Sequence, residues 1–362
     1  VNRPGSLISG WSTFSPLGIG RHEFTTKIAN GRTGCTGRPA DAQDGPAVGY
    51  RAGDPIEVVG ARGTRTLDRM TLMVIATVGM VLDEHAATLS DSRGAAGLVL
   101  GTSTGSVASI TGFTRDTFVQ EKPYFVNPAT FPNTVINGPA GRTAVWHGLR
   151  GLNSTISAGQ VTGLAALRYA TRMIRRGYAR TVLVGAVEEL SAPVARAAGL
   201  LPDGTGAVPV GEGCVVFLVD SQQAAAEQRR TPVAEVLDFE FGMAAPAEGP
   251  AAQADLLAGR IRVLLDRCRL APGDLWLVSM SQGGGHALDA AEEHAVDRAL
   301  HGVPGPRRLA AAHAVGNSFS ALAGFQLAAV LATAEPTTGP SRPCLLTSLG
   351  TDGAVACALV RA

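Results

Sequence analysis

The residues best placed for chemistry lie in the stretch "STISAGQVTGL", Ser154 to Leu164. A β-branched run gives way to small residues and a glycine, and a helical pattern follows. A sharp strand-to-helix turn of this kind holds up a nucleophile for acyl transfer. Its apex residue here is Gln160, and a carboxamide neither attacks a carbonyl nor exchanges a proton near neutral pH. The turn has a counterpart further on in "LAAAHAVGNSFSALAGFQLAAVL", where Gly316-Asn317 takes the place of Gly159-Gln160. Each copy is an extended run, then glycine with a carboxamide residue, then a helix of small residues, then a strand. Two helix N-termini brought together in this way suit developing negative charge.

Other candidates carry less. His286, His294 and His313 lie near the second turn, and "HALDAAEEH" brings acids beside two of them. Its spacing matches no His-Glu-x-x-His metal helix, and Asp289, Glu293 and His294 read as a solvated helix face. "GTSTGS" lacks the Lys-Ser/Thr ending of a phosphate loop and reads as a packing turn. The five cysteines (Cys35, Cys214, Cys268, Cys344, Cys357) have no CxxC spacing, which predicts reduced thiols. "RYATRMIRRGYAR" puts Arg172, Arg175, Arg176 and Arg180 on a helix, a solvated face that could dock an acidic protein. "FTRDTFVQEKPYFVNPATFP" (113–132) is the most distinctive apolar stretch. Phe113 and Phe118, with Thr114 and Thr117 between them, are expected on one helix face, with core packing as the ordinary explanation.

Apolar strands alternating with helix-length patterns position these residues, which is the signature of an α/β protein. Strands are expected near Leu7–Gly10 and at 97–101, 154–158, 181–186, 214–220, 275–280, 345–349 and 355–360. Helices are expected at 68–83, 161–176, 254–268, 288–301 and 321–333. The first of these is apolar on more than one face and should be buried between layers. Pro/Gly-rich loops are expected at 36–55, 202–212 and 242–252. The repeated turns imply a duplicated domain with pseudo-twofold symmetry, its boundary near residue 222 after "CVVFLVD". The halves are then 1–222 and 223–362. A 45% hydrophobic, 17% charged chain of 362 residues has ample core, and a net charge of +1 argues against a nucleic-acid partner. No apolar run reaches the roughly 20 residues of a membrane span. "VNRPGSLISGW" lacks the basic start and apolar region of a secretory signal, so a cytoplasmic protein is expected.

Several segments in order resemble the β-ketoacyl synthase family. "LISGWSTFSPLGIGRHEFTTKIANGRTG" resembles its opening strand, turn and first helix. "GTSTG" resembles the glycine turn after a central strand, and "FPNTVINGPAGRTAVWHGLRGLNSTISAGQVTGLAAL" the lead-in to its active-site elbow. "PVGEGCVVFLVDS" and "TSLGTDGAVACALV" resemble the hairpin ending its first half and its closing strand pair. The resemblance implies a duplicated thiolase-like fold, layered αβαβα with two pseudo-twofold-related halves.

The departures are as informative. The family's elbow Cys is Gln160 here. Its first catalytic His is Gln282 in "SQGGGHALDAAEE", with Glu293 at the position of its Glu. Its second His is Asn317, and the Lys before it is Ala312. An elbow Gln is what the chain-length factors of bacterial type II polyketide synthases show. That resemblance implies a non-catalytic subunit without metal or cofactor. It would pair with an active ketosynthase and shape the cavity in which a polyketide, borne by an acyl carrier protein, grows. Cavity-lining positions would be Phe113, Thr117, Phe118 and Phe131. Asn153, Ser154, Thr155, Ile156 and Ser157 would form the dimer seam. The compact chain favours a highly reducing (polyene) system over an aromatic one. The alternative is a malonyl-carrier-protein decarboxylase that supplies starter units.

Overall fold

Apolar residues in strict alternation decide which way each central strand faces. In "GLVLG", Leu98 and Leu100 enter one core and Val99 another. In "TVLVGAVE", Val182, Val184 and Ala186 side with Val99, while Leu183 and Val187 side with Leu98. A strand that feeds two cores must lie between two layers. The computed structural model describes residues 5–34, 49–89, 92–199, 208–283, 285–301, 305–334 and 341–362.

The strands are β1 (Ser6–Ser15), β2 (Gly97–Gly101), β3 (Asn153–Ile156), β4 (Thr181–Glu188), β5 (Gly213–Asp220), β6 (Ala234–Met243), β7 (Leu277–Met280), β8 (Arg307–Ala310), β9 (Pro343–Leu349) and β10 (Ala354–Arg361). They lie in the order β8-β7-β9-β10-β6-β1-β5-β4-β2-β3. Both sets of five therefore follow one plan: third, second, fourth, fifth, first. In each set the third, second and fourth strands pair in parallel, and the fifth and first join antiparallel. The sets meet where Ser6, Leu7 and Ile8 of β1 oppose Val236, Glu235 and Ala234 of β6.

The helices are α1 (Arg21–Ala29), α2 (Arg69–Glu84), α3 (Val107–Val119), α4 (Gly138–His147), α5 (Thr162–Arg175), α6 (Ala192–Gly199), α7 (Gly249–Cys268), α8 (His286–Ala299) and α9 (Leu322–Ala334). Helices α5 and α9 touch strands of both sets and form the middle layer. Helices α2 and α4 cover the outer face of the first set, and α7 and α8 that of the second. The fold is thus the layered αβαβα arrangement of the thiolase-like proteins. Every residue of α9 from Leu322 to Ala332 is buried. Its "small-residue" character has a steric cause. A Cβ on Gly163 of α5 would lie 3.0 Å from the backbone nitrogen of Gly324, and a Cβ on Gly324 would lie 2.4 Å from Val215.

A buried ion pair near the junction ties the segment leading into β6 to the first set. Asp220 ends β5 and accepts from Arg230 Nε (2.8 Å) and Nη2 (2.7 Å), from Ser9 Oγ (2.7 Å) and from Thr181 Oγ1 (2.6 Å). Arg230 also donates to the Thr88 carbonyl at 3.0 Å. Every polar atom of the carboxylate is thereby occupied, which a buried charge requires.

Most expected elements are present, and the differences have local reasons. The first strand runs from Ser6 to Ser15, well past Gly10. Strand β6, "AEVLDFEFGM", is hidden in the sequence by its three acids. Each acid is paired: Glu235 with Arg361, Asp238 with Arg267, and Glu240 with Arg260 and Arg267. Helix α7 starts at Gly249, inside the loop expected at 242–252, with proline at its start where no amide donor is needed. Helix α2 is buried as expected, between its sheet and α4. Of the other loops, 36–48 and 202–207 lie outside the described residues, as does Cys35. Gly49-Tyr50 and Val210-Gly211 pair as a short parallel ladder.

Candidate functional site

Strand β3 ends at Ile156, the turn Ala158-Gly159-Gln160 follows, and α5 begins at Thr162. Gly159 has φ +57°, and a Cβ there would lie 2.6 Å from Asp352 Oδ2, so the turn favours glycine. Thr162 locks it, its Oγ1 accepting from Ala158 N (2.8 Å) and donating to the Gly159 carbonyl (2.6 Å). The Gln160 Oε1 accepts from Thr351 N at 3.0 Å, in the turn between β9 and β10. The apex side chain is thus a strut from the first set of strands to the second.

The second turn is equally constrained. Gly316 has φ +80°, and a Cβ there would come within 2.9 Å of Gly211. Asn317 N donates to Pro209 O (2.7 Å), and its carbonyl accepts from Gly211 N (2.8 Å). Its side chain is used at both ends: Nδ2 donates to the Gly283 carbonyl, and Oδ1 accepts from Phe319 N at 3.0 Å. Phe319 adopts φ +47°, and Gln282 adopts φ +42°. Both are uncommon conformations for residues with a Cβ, of the kind found at functional sites. Gln282 donates from Nε2 to Glu293 (2.8 Å). Gln282-Gly283 and Asn317 therefore meet directly, while Gln160 is held at the Thr351 turn. Ala312 is fully buried and brings no charge.

Beneath these turns lie buried carboxylates that pattern reading missed. Glu292 of α8 accepts from Ser281 N (3.0 Å) and Oγ (2.8 Å), Gln282 N (3.0 Å) and Thr347 Oγ1 (2.7 Å). Glu293 was expected there. On a helix adjacent positions point about 100° apart, so Glu292 faces the sheet and Glu293 faces solvent. Glu188 does the same in the first set, accepting from Ser103 N (2.6 Å) and Oγ (2.7 Å), Thr104 Oγ1 (2.9 Å) and Ser320 Oγ. Burial pushes both carboxyls above the usual carboxylate range, and the hydrogen bonds pull against it. The paired acid in "GAVEE", directly after an apolar strand, was the available signal. Three described cysteines, Cys214, Cys344 and Cys357, are buried with raised pKa values, as expected of structural thiols. Of the arginines, Arg175 donates to the Leu237 carbonyl and Arg180 pairs with Glu227, while Arg172 and Arg176 are exposed.

The apolar stretch does not enter the core. Helix α3 has no buried residue. The expected common face for Phe113 and Phe118 is not present, because five residues turn a helix by about 140° from alignment. Phe113 is half-buried, its ring 5.7 Å from that of Phe131, whereas Phe118 is 83% exposed. Thr117 is half-buried, and its hydroxyl donates to the Thr114 carbonyl at 2.6 Å. Phe131, Tyr124 and Phe125 are also exposed. Nearby, an open apolar groove of about 440 Å³ is lined by Leu67, Pro132, Val135, Val145 and Trp146. Strand β3 ends the sheet. Its Leu152 and Ile156 carbonyls accept from Leu98 N and Thr102 N of the β2 side. In a parallel ladder the alternate residues Asn153 and Thr155 then point their backbone groups to the outer edge. Asn153 donates its side chain to Ala140 O (3.1 Å) and Ser154 to Tyr169 (3.3 Å). The Thr155 hydroxyl is buried without a partner, and Ser157 Oγ lies 3.4 Å from Ser103 O.

Residues 7–225 match the family model of the β-ketoacyl synthase N-terminal domain, which places this elbow and its sheet in one lineage. The chain belongs to the β-ketoacyl synthase family. Among solved structures, it superposes on a chain of the ishigamide ketosynthase/chain length factor with TM-score 0.86 and 32% identity, covering 99% of both. It is 30% identical over 145 residues to 3-oxoacyl-[acyl-carrier-protein] synthase 2 of Vibrio harveyi, covering 40% of this chain and 35% of that protein. It is 30% identical over 181 residues to the tetracenomycin polyketide synthase ketoacyl synthase beta subunit of Streptomyces glaucescens, covering 43% of this chain and 42% of that one. These matched stretches span well under half the length of those curated relatives. This β-ketoacyl synthase family member has two such turns, each leading into a helix, with a buried acid beneath each. At the elbow, the apex side chain is a carboxamide.

Proposed function

We propose that this chain is a non-catalytic ketosynthase-like subunit, a chain-length factor. It pairs with an active ketosynthase and shapes the cavity in which a polyketide grows on an acyl carrier protein. One observation carries the reading: the elbow platform is intact, while Gln160, Gln282 and Asn317 are each bonded to the chain's own atoms. Claisen condensation needs a thiolate to carry the acyl chain and donors that stabilise an enolate after CO₂ leaves. Three committed carboxamides supply neither a nucleophile nor a proton-exchanging group. The platform then serves as architecture rather than as a catalyst.

The exposed apolar stretch and the open edge of β3 support a partner-facing surface. Asn153–Ser157 is the seam in this reading, since an unpaired strand edge invites pairing with another chain. Phe113, Thr117, Phe118 and Phe131 line the cavity wall. The halves are 1–222 and 223–362, the pathway is of the highly reducing kind, and the protein is cytoplasmic. Among the described residues no helix is long and apolar enough to cross a membrane.

The test is co-expression with and without a Cys-bearing ketosynthase, followed by intact-protein mass spectrometry with an acyl donor. The expected result is a stable heterodimer in which the partner alone is acylated. A stoichiometric acyl adduct on this chain would overturn the reading. Release of CO₂ from malonyl-carrier protein by this chain alone would replace it with the decarboxylase.

A further inference from the structure

Helix α3 carries Phe113, Thr117 and Phe118, yet none of its residues is buried. Core packing therefore does little to hold it, and its seating depends on its first turn. Ser106 caps that turn, accepting from Ser109 N at 3.2 Å. Behind the cap stands Glu189, one residue past the end of β4 and 5% exposed. Its carboxylate accepts from Ala108 N at 2.9 Å and from Ser106 Oγ at 3.2 Å. The start of an otherwise surface-borne helix is thus tied to a buried acid at the end of a central strand.

The charges around Glu189 are mostly of its own sign. Asp68, at the start of α2, accepts from Ser109 Oγ (3.4 Å) and Thr71 N (2.8 Å). Glu212, before β5, accepts from Ala52 N (2.8 Å) and Leu190 N (2.9 Å). Arg69 is spent on Glu212, its Nε lying 3.1 Å from Oε2. Glu188 precedes Glu189 and is occupied by Ser103, Thr104 and Ser320. Helix α6, which packs against α3, brings one charged residue, Arg196.

We propose that Glu189 is a positioning residue of the cavity wall: its carboxylate seats the first turn of α3 and makes that seating proton-sensitive. Only the effect on product rests on the function proposed above, because the seating is a property of this chain. Burial first, and then the charges of Asp68 and Glu212, hold the carboxyl at about 7 against 4.5 in water. The seated state therefore binds the proton better than a lifted state in which Glu189 meets solvent. The sign follows. Lifting of α3 should grow by up to about tenfold per pH unit between about pH 5 and pH 7, and level off above 7.

The test is amide exchange across 107–119 between pH 5 and 8, corrected for its intrinsic pH dependence, on the full chain alone and in complex with a ketosynthase. The wild type should show the rise and the plateau, and Glu189→Gln should show a flat profile. Ser106→Ala removes one donor and should carry the plateau to higher pH. A flat wild-type profile, or the same slope in Glu189→Gln, would overturn the proposal. So would an unmoved plateau in Ser106→Ala. In the reconstituted pair, wild-type product length should vary with pH over the same window, and the Glu189→Gln products should not. A pH-dependent exchange profile with pH-independent products would keep the anchor and sink the reading of α3 as cavity wall.

Discussion

Removing the ring of Phe118 is the sharpest test of how chain length is set. In the isolated chain this ring is 83% exposed, so Phe118→Ala costs little folding stability, within about 0.5 kcal/mol. A change in product cannot then be blamed on a damaged core. Phe113 differs, because it leans on Phe131 with 5.7 Å between ring centroids. Losing that contact costs about 0.5–1.5 kcal/mol beyond the buried area. If these rings close the end of the partner's tunnel, one more extension must push packed atoms aside. Overpacking costs about 1–3 kcal/mol, and about 1.4 kcal/mol is tenfold in rate. The partition between extension and release should then move by about 5- to 150-fold per ring. The assay is the product-length distribution of the reconstituted ketosynthase pair with carrier protein and malonyl donor, read by mass spectrometry. Phe118→Ala and Phe113→Ala are expected to lengthen the products, and Thr117→Phe to shorten them. Alanine variants that stay paired and give an unchanged distribution would refute the reasoning.

Thr155→Pro removes an outward-facing N–H from β3 without touching the bonds to β2. The chain should still fold but lose its ketosynthase partner on size-exclusion chromatography, and retained pairing would place the seam elsewhere. Gln160→Cys puts a thiol at the elbow but leaves Gln282 and Asn317 in place. It should be alkylated by iodoacetamide yet elongate nothing by itself, and any extension product from the variant alone would contradict the inert-site reading. Arg230→Ala strands the buried Asp220 carboxylate, at a cost of about 3–5 kcal/mol. With an unfolding entropy of about 2.1 cal/mol/K per residue over 362 residues, that lowers Tm by about 4–7 °C. A shift under about 1 °C by calorimetry would show that the site takes up water instead.

What the sequence displays depends on whether a residue's role is local. The two elbows were legible because a glycine forced to positive φ must sit where strand turns to helix, and Gly159 and Gly316 do. Most central strands were legible too, since strands buried on both faces read as plain apolar runs. Strand β6 was not legible because its acids are neutralised by arginines distant in sequence, Arg361 among them. The buried acid under the second turn was displaced by one residue, from Glu292 to Glu293. That step is trivial in sequence but 100° in helical phase. Phe113 and Phe118 failed for the same reason. The apolar stretch 113–132 lies on the surface because no described element covers it, which no local pattern records.

On the proposed reading, these turns show how a fold can set aside its chemistry and keep its shape. An imidazole at Asn317 or Gln282 would bond through one ring nitrogen and leave the other for substrate. A carboxamide can bond at both ends, and Asn317 does, joining Gly283 to Phe319. Gln160 likewise spends its oxygen on Thr351, bracing one set of strands against the other. The steric demands of the turns fall on Gly159, Gly211 and Gly316, where a single Cβ would meet backbone or carboxylate. Those glycines bring no side chain to the site. Architecture and chemistry are therefore carried by different residues at the same turns. On the proposed reading, a chemical set could be exchanged for hydrogen-bonding struts without asking the backbone to move.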